Sequence, residues 1–238
     1  MLKVLGVEPE VDLYGEAYFE CGIESGLSLY QNYRWIPELT IPMAMTIIDF
    51  LEIKRGQSVL DFGCAKGYVV KALRLLGRSA FGVDSSEYAI KNVDPDVRRF
   101  CLHKSGPVYN DRKIGFPRLF DFCIAKDVFE HLSESELSEE LYVIPADRIF
   151  AVIPLGEDER YRAPANDLDV THQICKTEQW WSEMFMKEGW IVKDLRLQIP
   201  GIKDHYYDNY PTSHGFFTIE RREKKFTGKS LRDMGGSE

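Results

Sequence analysis

No apolar run in this chain approaches the about eighteen residues that a membrane-crossing helix needs, and there is no internal repeat and no CxxC pair. The first absence argues against a membrane span. The N-terminal stretch MLKVLGVEPEVD has neither a long apolar core nor a small-residue cleavage site, so a soluble, unexported protein is expected. Five cysteines, Cys21, Cys64, Cys101, Cys123 and Cys175, are scattered without disulfide or zinc spacing and read as reduced thiols in a cytoplasm. Excess basic charge is missing too. A formal net charge of −8 argues against a protein that binds nucleic acid by neutralising its phosphates.

What is present is a globular composition: 238 residues, 44% hydrophobic and 29% charged, enough to bury one large core. The first 55 residues are rich in tyrosine (Tyr14, Tyr18, Tyr30, Tyr33, with Trp35 close by) and read as a cap or lid, ending in a helix over Pro42–Leu51 with the proline in its first turn. From position 57 short apolar strands alternate with amphipathic helices. SVLDF, SAFGVD, VRRFCLH, FDFCIA and RIFAVIPL are the first five strands, separated by helices at YVVKALRLLG, SSEYAIKNV and after the capping-box stretch Ser133–Glu136. A helix over Glu178–Glu188, a strand over 190–198 and a last strand GFFTIER follow.

The alternation predicts an α/β fold, a doubly wound, mostly parallel seven-stranded sheet with helices on both faces, and its hairpin-like ending predicts an antiparallel edge. Residues 56–222 would form that domain, 223–238 a flexible tail, and the segments 104–119, 156–176 and 199–213 long loops.

In such a sheet ligands bind beyond the carboxyl end of the first strand, where this chain reads VLDFGCAKGY. A dinucleotide fingerprint would place glycines in G-x-G-x-x-G/A spacing, whereas here Gly63 is followed by Ala65 and Tyr68, and a tyrosine obstructs close helix packing. A nicotinamide oxidoreductase is therefore disfavoured. Asp61 beside the turn would repel a pyrophosphate but can balance an ammonium, and Asp84, 23 residues on, ends the second strand where a carboxylate takes ribose hydroxyls. An amino-acid cation with a ribose and no phosphate describes S-adenosylmethionine.

Through DFGCAKG, GVDSSEYAI and FDFCIAKDVFEHL the chain resembles the class I S-adenosylmethionine-dependent methyltransferases over roughly 57–155. That resemblance implies that Asp61, Gly63, Cys64, Ala65 and Gly67 line the methionine moiety, that Asp84 and Ser85 take the ribose, and that Asp127 closes the pocket. The family usually has glycine where Ala65 stands. The adenine partner, expected near 103–106, has no matching signal.

If the chain turns helical after the fourth strand, Asp127, Glu130 and His131 share one face at i, i+3 and i+4, and His172 in DVTHQ supplies a fourth donor. Two carboxylates with imidazoles suit a divalent metal (Mg, Mn or Zn). The spacing resembles the E-x-x-E-H metal site of ubiquinone-pathway O-methyltransferases and of small-RNA 3′-terminal 2′-O-methyltransferases, with Asp127 replacing the first glutamate. Without a metal, His131 and His172 are the general bases expected, or else satisfied structural histidines.

The family's base-amine enzymes carry an Asn/Asp-Pro-Pro-aromatic motif where this chain has AKDV, and the Pro-Cys of cytosine C5 chemistry is missing, so a nucleobase acceptor and a nucleic-acid partner are not expected. Aromatic residues with polar neighbours in 1–55, 156–176 and 199–213 point to a small-molecule or glycan acceptor. O-methylation of a hydroxyl on a sugar, glycan or small metabolite is the leading expectation. N-methylation of an amino sugar or small amine, and a non-catalytic, cofactor-binding regulatory protein, are the alternatives.

Overall fold

The computed structural model describes residues 12–105 and 116–222. Most of the loop at 104–119 and all of the tail 223–238 lie outside the described residues. Two short helices, α1 (Glu16–Glu20) and α2 (Gly22–Ser25), precede α3 (Pro37–Phe50). α3 begins five residues earlier than its sequence predicts, because Pro37, whose fixed φ suits a first turn, opens it. Pro42 therefore lies inside the helix, where it withholds the N–H that would have bonded the carbonyl of Glu38.

The alternating core runs β1 (Ser58–Phe62), α4 (Tyr68–Leu75), β2 (Ser79–Asp84), α5 (Glu87–Lys91), β3 (Cys101–His103), β4 (Phe122–Lys126), α6 (Glu134–Val143) and β5 (Arg148–Pro154). The loop 156–176 carries a small hairpin, β6 (Gly156–Glu157) with β7 (Arg160–Tyr161), and is followed by α7 (Glu178–Lys187), β8 (Trp190–Arg196) and β9 (His214–Arg221). β3 is shorter than VRRFCLH predicts: Arg98–Phe100 form a 3-10 turn, and only Cys101–His103 pair with β2.

The seven-stranded sheet has the order β3-β2-β1-β4-β5-β9-β8. β1 to β5 are mutually parallel and both neighbours of β9 run antiparallel to it. The expected antiparallel edge is thus formed by the β8–β9 hairpin, with β9 one place in and β8, parallel to β1–β5, as the outermost strand. Burial explains the placement. β9 is continuously buried from His214 to Phe217 and needs cover from both sides, while β8 alternates and exposes Lys193, Asp194 and Arg196 to varying degrees, as an edge strand tolerates.

Two apolar layers sandwich the sheet. On one side Ile47 and Ile48 of α3 and Val70 and Leu73 of α4 pack under Val59, Ile124 and Phe150; on the other Leu137 and Leu141 of α6 and Trp181 and Phe185 of α7 pack against Leu60, Ala151 and Phe217. Trp181 is fully buried. Ser133 and Glu136 close the capping box of α6, and Thr177 caps α7. Among the described residues no helix is long and apolar enough to cross a membrane.

Candidate active site

The β1–α4 loop is folded by three left-handed residues, Gly63 (φ 78°), Ala65 (φ 47°) and Gly67 (φ 78°). At Gly63 a Cβ would come within 2.5 Å of Val128 Cγ2, so glycine is required by both backbone and space. Ala65 holds a conformation that costs a non-glycine residue about 1 kcal/mol, offset by its N–H bond to Asp84 Oδ2 at 2.7 Å. The N–H groups of Gly63 and Cys64 both reach the Val83 carbonyl, 2.8 and 3.0 Å away, which staples the loop to the end of β2.

Asp61 and Asp84 stand on these adjacent strand ends. Asp61 is 4% exposed and its Oδ2 has no hydrogen-bond partner. Burial, then the Asp84 charge, pushes its carboxyl up to about 7 against the pull of Lys126. Burial also raises Asp84, opposed by N–H bonds from Ser86 to Oδ1 (2.8 Å) and from Ala65 to Oδ2. An orphaned, buried carboxylate oxygen beside a glycine loop fits an ammonium donor of a ligand. Ser85 is exposed, its carbonyl 3.0 Å from His103 Nε2, and the Cys64 thiol is buried and pushed well up by burial.

The tyrosine-rich segment covers this loop. Tyr18 and Phe19 are buried among Tyr14, Tyr30, Tyr33 and Tyr88, with Ala65 beneath them. Lys66, inside the loop, reaches back to the Glu20 carboxylate and to the Tyr33 carbonyl at 2.9 Å. Ser86 Oγ donates to the Tyr14 carbonyl at 2.6 Å. Most of the tyrosines therefore pack the cap, while the Tyr14 ring sits 6.0 Å from that of His131, edge to face.

After β4 the chain does not turn helical at once. Asp127 has φ 55°, and a 3-10 turn spans Phe129–His131, so the expected i, i+3, i+4 face does not form. Asp127 points instead into an ion cluster, its Oδ2 receiving Lys126 Nζ at 2.5 Å and Lys203 Nζ at 2.7 Å. Burial alone would raise this carboxyl, but the two ammoniums hold it well below the usual carboxylate range. As a metal ligand Asp127 is corrected: its carboxylate is taken.

Glu130, His131 and His172 do converge. One donor atom from each lies within 4.8 Å of the others. Glu130 is fully buried and neither carboxylate oxygen has a partner, so burial, then Asp127, pushes its carboxyl well above normal. Its backbone carbonyl anchors the loop, accepting from the N–H groups of Gln173 (2.7 Å) and Ile174 (3.0 Å).

The tautomers follow from the partners. Thr171 Oγ1 donates to Asp169 Oδ1 at 2.5 Å, so it accepts from His131 Nδ1 at 2.8 Å. His172 Nδ1 faces the Asn166 carbonyl at 2.9 Å and must donate. Each Nε2 is then a bare lone pair, and His131 Nε2 lies 4.0 Å from Glu130 Oε1. Burial, then His172, pushes His131 down to about 4, and burial lowers His172. Asp169, whose Oδ2 accepts from Tyr18 at 2.9 Å, ties cap and loop together. Asp169, Thr171 and Lys126 were not singled out by sequence reasoning, since nothing in their local pattern marks them, and Lys203 entered it only as one of the polar residues of the loop 199–213.

Residues 40–141 match the family model described as a methyltransferase domain. The ubiquinone biosynthesis O-methyltransferase of Thiobacillus denitrificans is 28% identical over 100 residues, 39% of this chain, and the match spans only 41% of that relative's length. Among solved structures, an S-adenosylmethionine-dependent methyltransferase from Aquifex aeolicus superposes with a TM-score of 0.52 at 17% identity, covering 77% of this chain and 92% of that one. The 1,6-didemethyltoxoflavin-N1-methyltransferase of Burkholderia thailandensis gives 0.53 at 14% identity, covering 76% and 77%. Over residues 40–141 the chain is thus similar to a methyltransferase domain, and its seven-stranded sheet shares the fold of these solved methyltransferases.

Proposed function

We propose that the protein is an S-adenosylmethionine-dependent methyltransferase acting on a hydroxyl of a sugar, glycan or other small metabolite. Bound S-adenosylmethionine would supply an electrophilic methyl group on a sulfonium. In this reading Asp61 balances the ammonium of the cofactor, Asp84 and Ser85 take its ribose, and Gly63, Cys64, Ala65 and Gly67 form the surface against its methionine moiety. The orphaned Oδ2 of Asp61 supports that assignment.

The observation that carries the hydroxyl reading is the convergence of Glu130, whose carboxyl oxygens have no hydrogen-bond partner, with His131 and His172, whose Nδ1 atoms are engaged and whose Nε2 atoms are left bare. A histidine held down to about 4 is a weak base toward an alcohol. Neutral imidazoles with a buried carboxylate form instead a donor set for a divalent cation, which would acidify and orient a hydroxyl. Two nitrogen donors favour Zn²⁺ or Mn²⁺ over Mg²⁺, which prefers oxygen. The cap 1–55 would exclude water from the catalytic domain, 56–222, and the free cysteines are compatible with a reducing cytoplasm.

Calorimetry tests both halves. S-adenosylhomocysteine should bind, with affinity lost in Asp84→Ala. Zn²⁺ or Mn²⁺ added to EDTA-treated protein should bind one site, lost in Glu130→Gln. At a hundredfold excess over its dissociation constant the ion should stabilise by about 2.7 kcal/mol, a rise in Tm of roughly 5–10 °C for a chain of this size. Absence of cofactor-product binding would overturn the methyltransferase reading, and absence of metal binding would leave His131 and His172 as unassisted bases.

A further inference from the structure

The sheet brings a second cluster to its carboxyl edge. Lys126 ends β4, Lys203 lies in the loop after β8, and His214 opens β9 opposite Pro154, the last residue of β5. Both lysines point at a single oxygen, Asp127 Oδ2, at 2.5 and 2.7 Å, and the side chains of Lys126, Lys203 and Asp127 are 23%, 15% and 17% exposed. One carboxylate balances one ammonium. The second ammonium has no other acid within 4.0 Å among the described residues, since the two lysines form no ion pairs beyond those with Asp127.

An uncompensated, largely buried ammonium is costly, so a group that is built into place there implies a counter-charge from outside the chain. Lys203 is built into place. It holds φ 63°, a left-handed conformation unfavourable to a lysine, its carbonyl accepts from the Tyr206 N–H at 3.0 Å, and its ammonium lies 5.6 Å from the centre of the Tyr206 ring.

A second observation points to the same spot. His214 is 1% exposed; its Nδ1 meets Ser213 Oγ at 2.9 Å, its ring lies 4.7 Å from that of Tyr206, and its Nε2 is buried without any partner. Ser213 Oγ can donate to Nδ1, and in that tautomer Nε2 carries a proton that has no acceptor among the described residues. An ammonium and an imidazole N–H that both lie against the Tyr206 ring, in a chain of net charge −8, make a local anion site and not a general electrostatic drift.

The two lysines also differ in what they face. Both bear on Glu130, but Lys126 also bears on Asp61 and Tyr33, on the side of the glycine loop, whereas Lys203 is the stronger cation at His205 and His214 and bears on His172. Lys203, in the loop 199–213, is therefore the lysine whose charge is felt at His172 as well as at Glu130.

We propose that the methyl acceptor is an anion, held by a carboxylate or phosphate group on the ammonium of Lys203 and Nε2 of His214, with its hydroxyl directed to Glu130, His131 and His172. This rests on the methyltransferase reading above and adds a substrate class to it. Neutral sugars and simple phenols would be poor acceptors because they leave the buried cation unpaired.

The test is calorimetric titration of protein saturated with S-adenosylhomocysteine, using inorganic phosphate and, separately, benzoate. One of the two should bind saturably, with affinity falling at least about tenfold in Lys203→Met and recovering in Lys203→Arg. S-adenosylhomocysteine should bind wild type and both variants alike, which also reports that the variants fold. Preference for phosphate assigns a phosphorylated acceptor, and preference for benzoate a carboxylated one. The proposal is overturned if neither anion binds, if Lys203→Met binds as wild type does, or if S-adenosylhomocysteine and the anion compete, which would give the cation to the cofactor's own carboxylate. Failure of S-adenosylhomocysteine itself to bind sinks the cofactor reading separately, and the anion titration of the unliganded protein still reports on Lys203.

Discussion

His131 Nδ1 lies 2.8 Å from Thr171 Oγ1, and that contact decides which ring nitrogen faces Glu130. The hydroxyl has already given its proton to Asp169, so the imidazole donates from Nδ1 and Nε2 is left bare. A residue 40 positions away in the chain thereby sets the chemistry of the histidine.

Thr171→Val keeps the shape of that side chain and removes its hydrogen bonds. The imidazole of His131 is then free to change tautomer, and metal affinity should fall by about 10–100-fold, the usual effect of losing the partner that orients a ligand. Titration of the EDTA-treated variant with Zn²⁺ checks this. Unchanged affinity would mean that Thr171 serves only to hold the loop.

Asp61 gives a pH dependence whose sign can be worked out. Its carboxyl, near 3.8 when unfolded, is raised to about 7 in the fold, so between those values the folded protein holds a proton that the unfolded chain does not. The resulting stability is complete at low pH and is lost as pH rises through about 7. An ammonium ligand needs the opposite form. Affinity for S-adenosylhomocysteine should therefore strengthen severalfold from pH 6 to pH 8, and Asp61→Asn should bind weakly with this pH dependence removed.

Gly63→Ala should destabilise the protein by about 1–3 kcal/mol, since the new Cβ is overpacked and the backbone is left-handed. The contact at 2.5 Å is with Val128 Cγ2, so the damage should be partly relieved in Gly63→Ala combined with Val128→Ala. Chemical denaturation of the two variants measures both effects.

Lys66→Met removes the cation that ties the cap to the glycine loop through Glu20 and the Tyr33 carbonyl. The folded core should persist while the segment 12–35 becomes more accessible, so limited proteolysis within it should accelerate. Equal cleavage rates in variant and wild type would show that the aromatic stacking around Phe19 holds the cap unaided.

The sheet and its helices were legible because burial on both faces writes itself into the chain as apolar runs, seen in SVLDF and RIFAVIPL, separated by amphipathic segments. The glycine loop was legible for a similar reason, since left-handed backbone favours glycine at Gly63 and Gly67. The position of β9 was not. A chain-terminal hairpin reads the same whether its last strand lies at the edge or one place in, and only the two-sided burial of Phe216 and Phe217 against β5 and β8 decides.

Local sequence also carried Glu130 and His131 together, and DVTHQ offered His172 as a distant donor. What it could not carry was Asp127. Three residues on one face presuppose a helix, and the positive φ of Asp127 removes that premise. The competing partner, Lys203, is 76 residues away in a loop with no periodic signal. Sequence by itself determined the fold class, the glycine loop with its two acids and the residue types available to the site, because these follow from short-range spacing and burial. Tertiary structure alone decided which carboxylates are free and which are neutralised, because ion pairs and tautomers depend on which side chains the folded sheet brings within about 3 Å of one another.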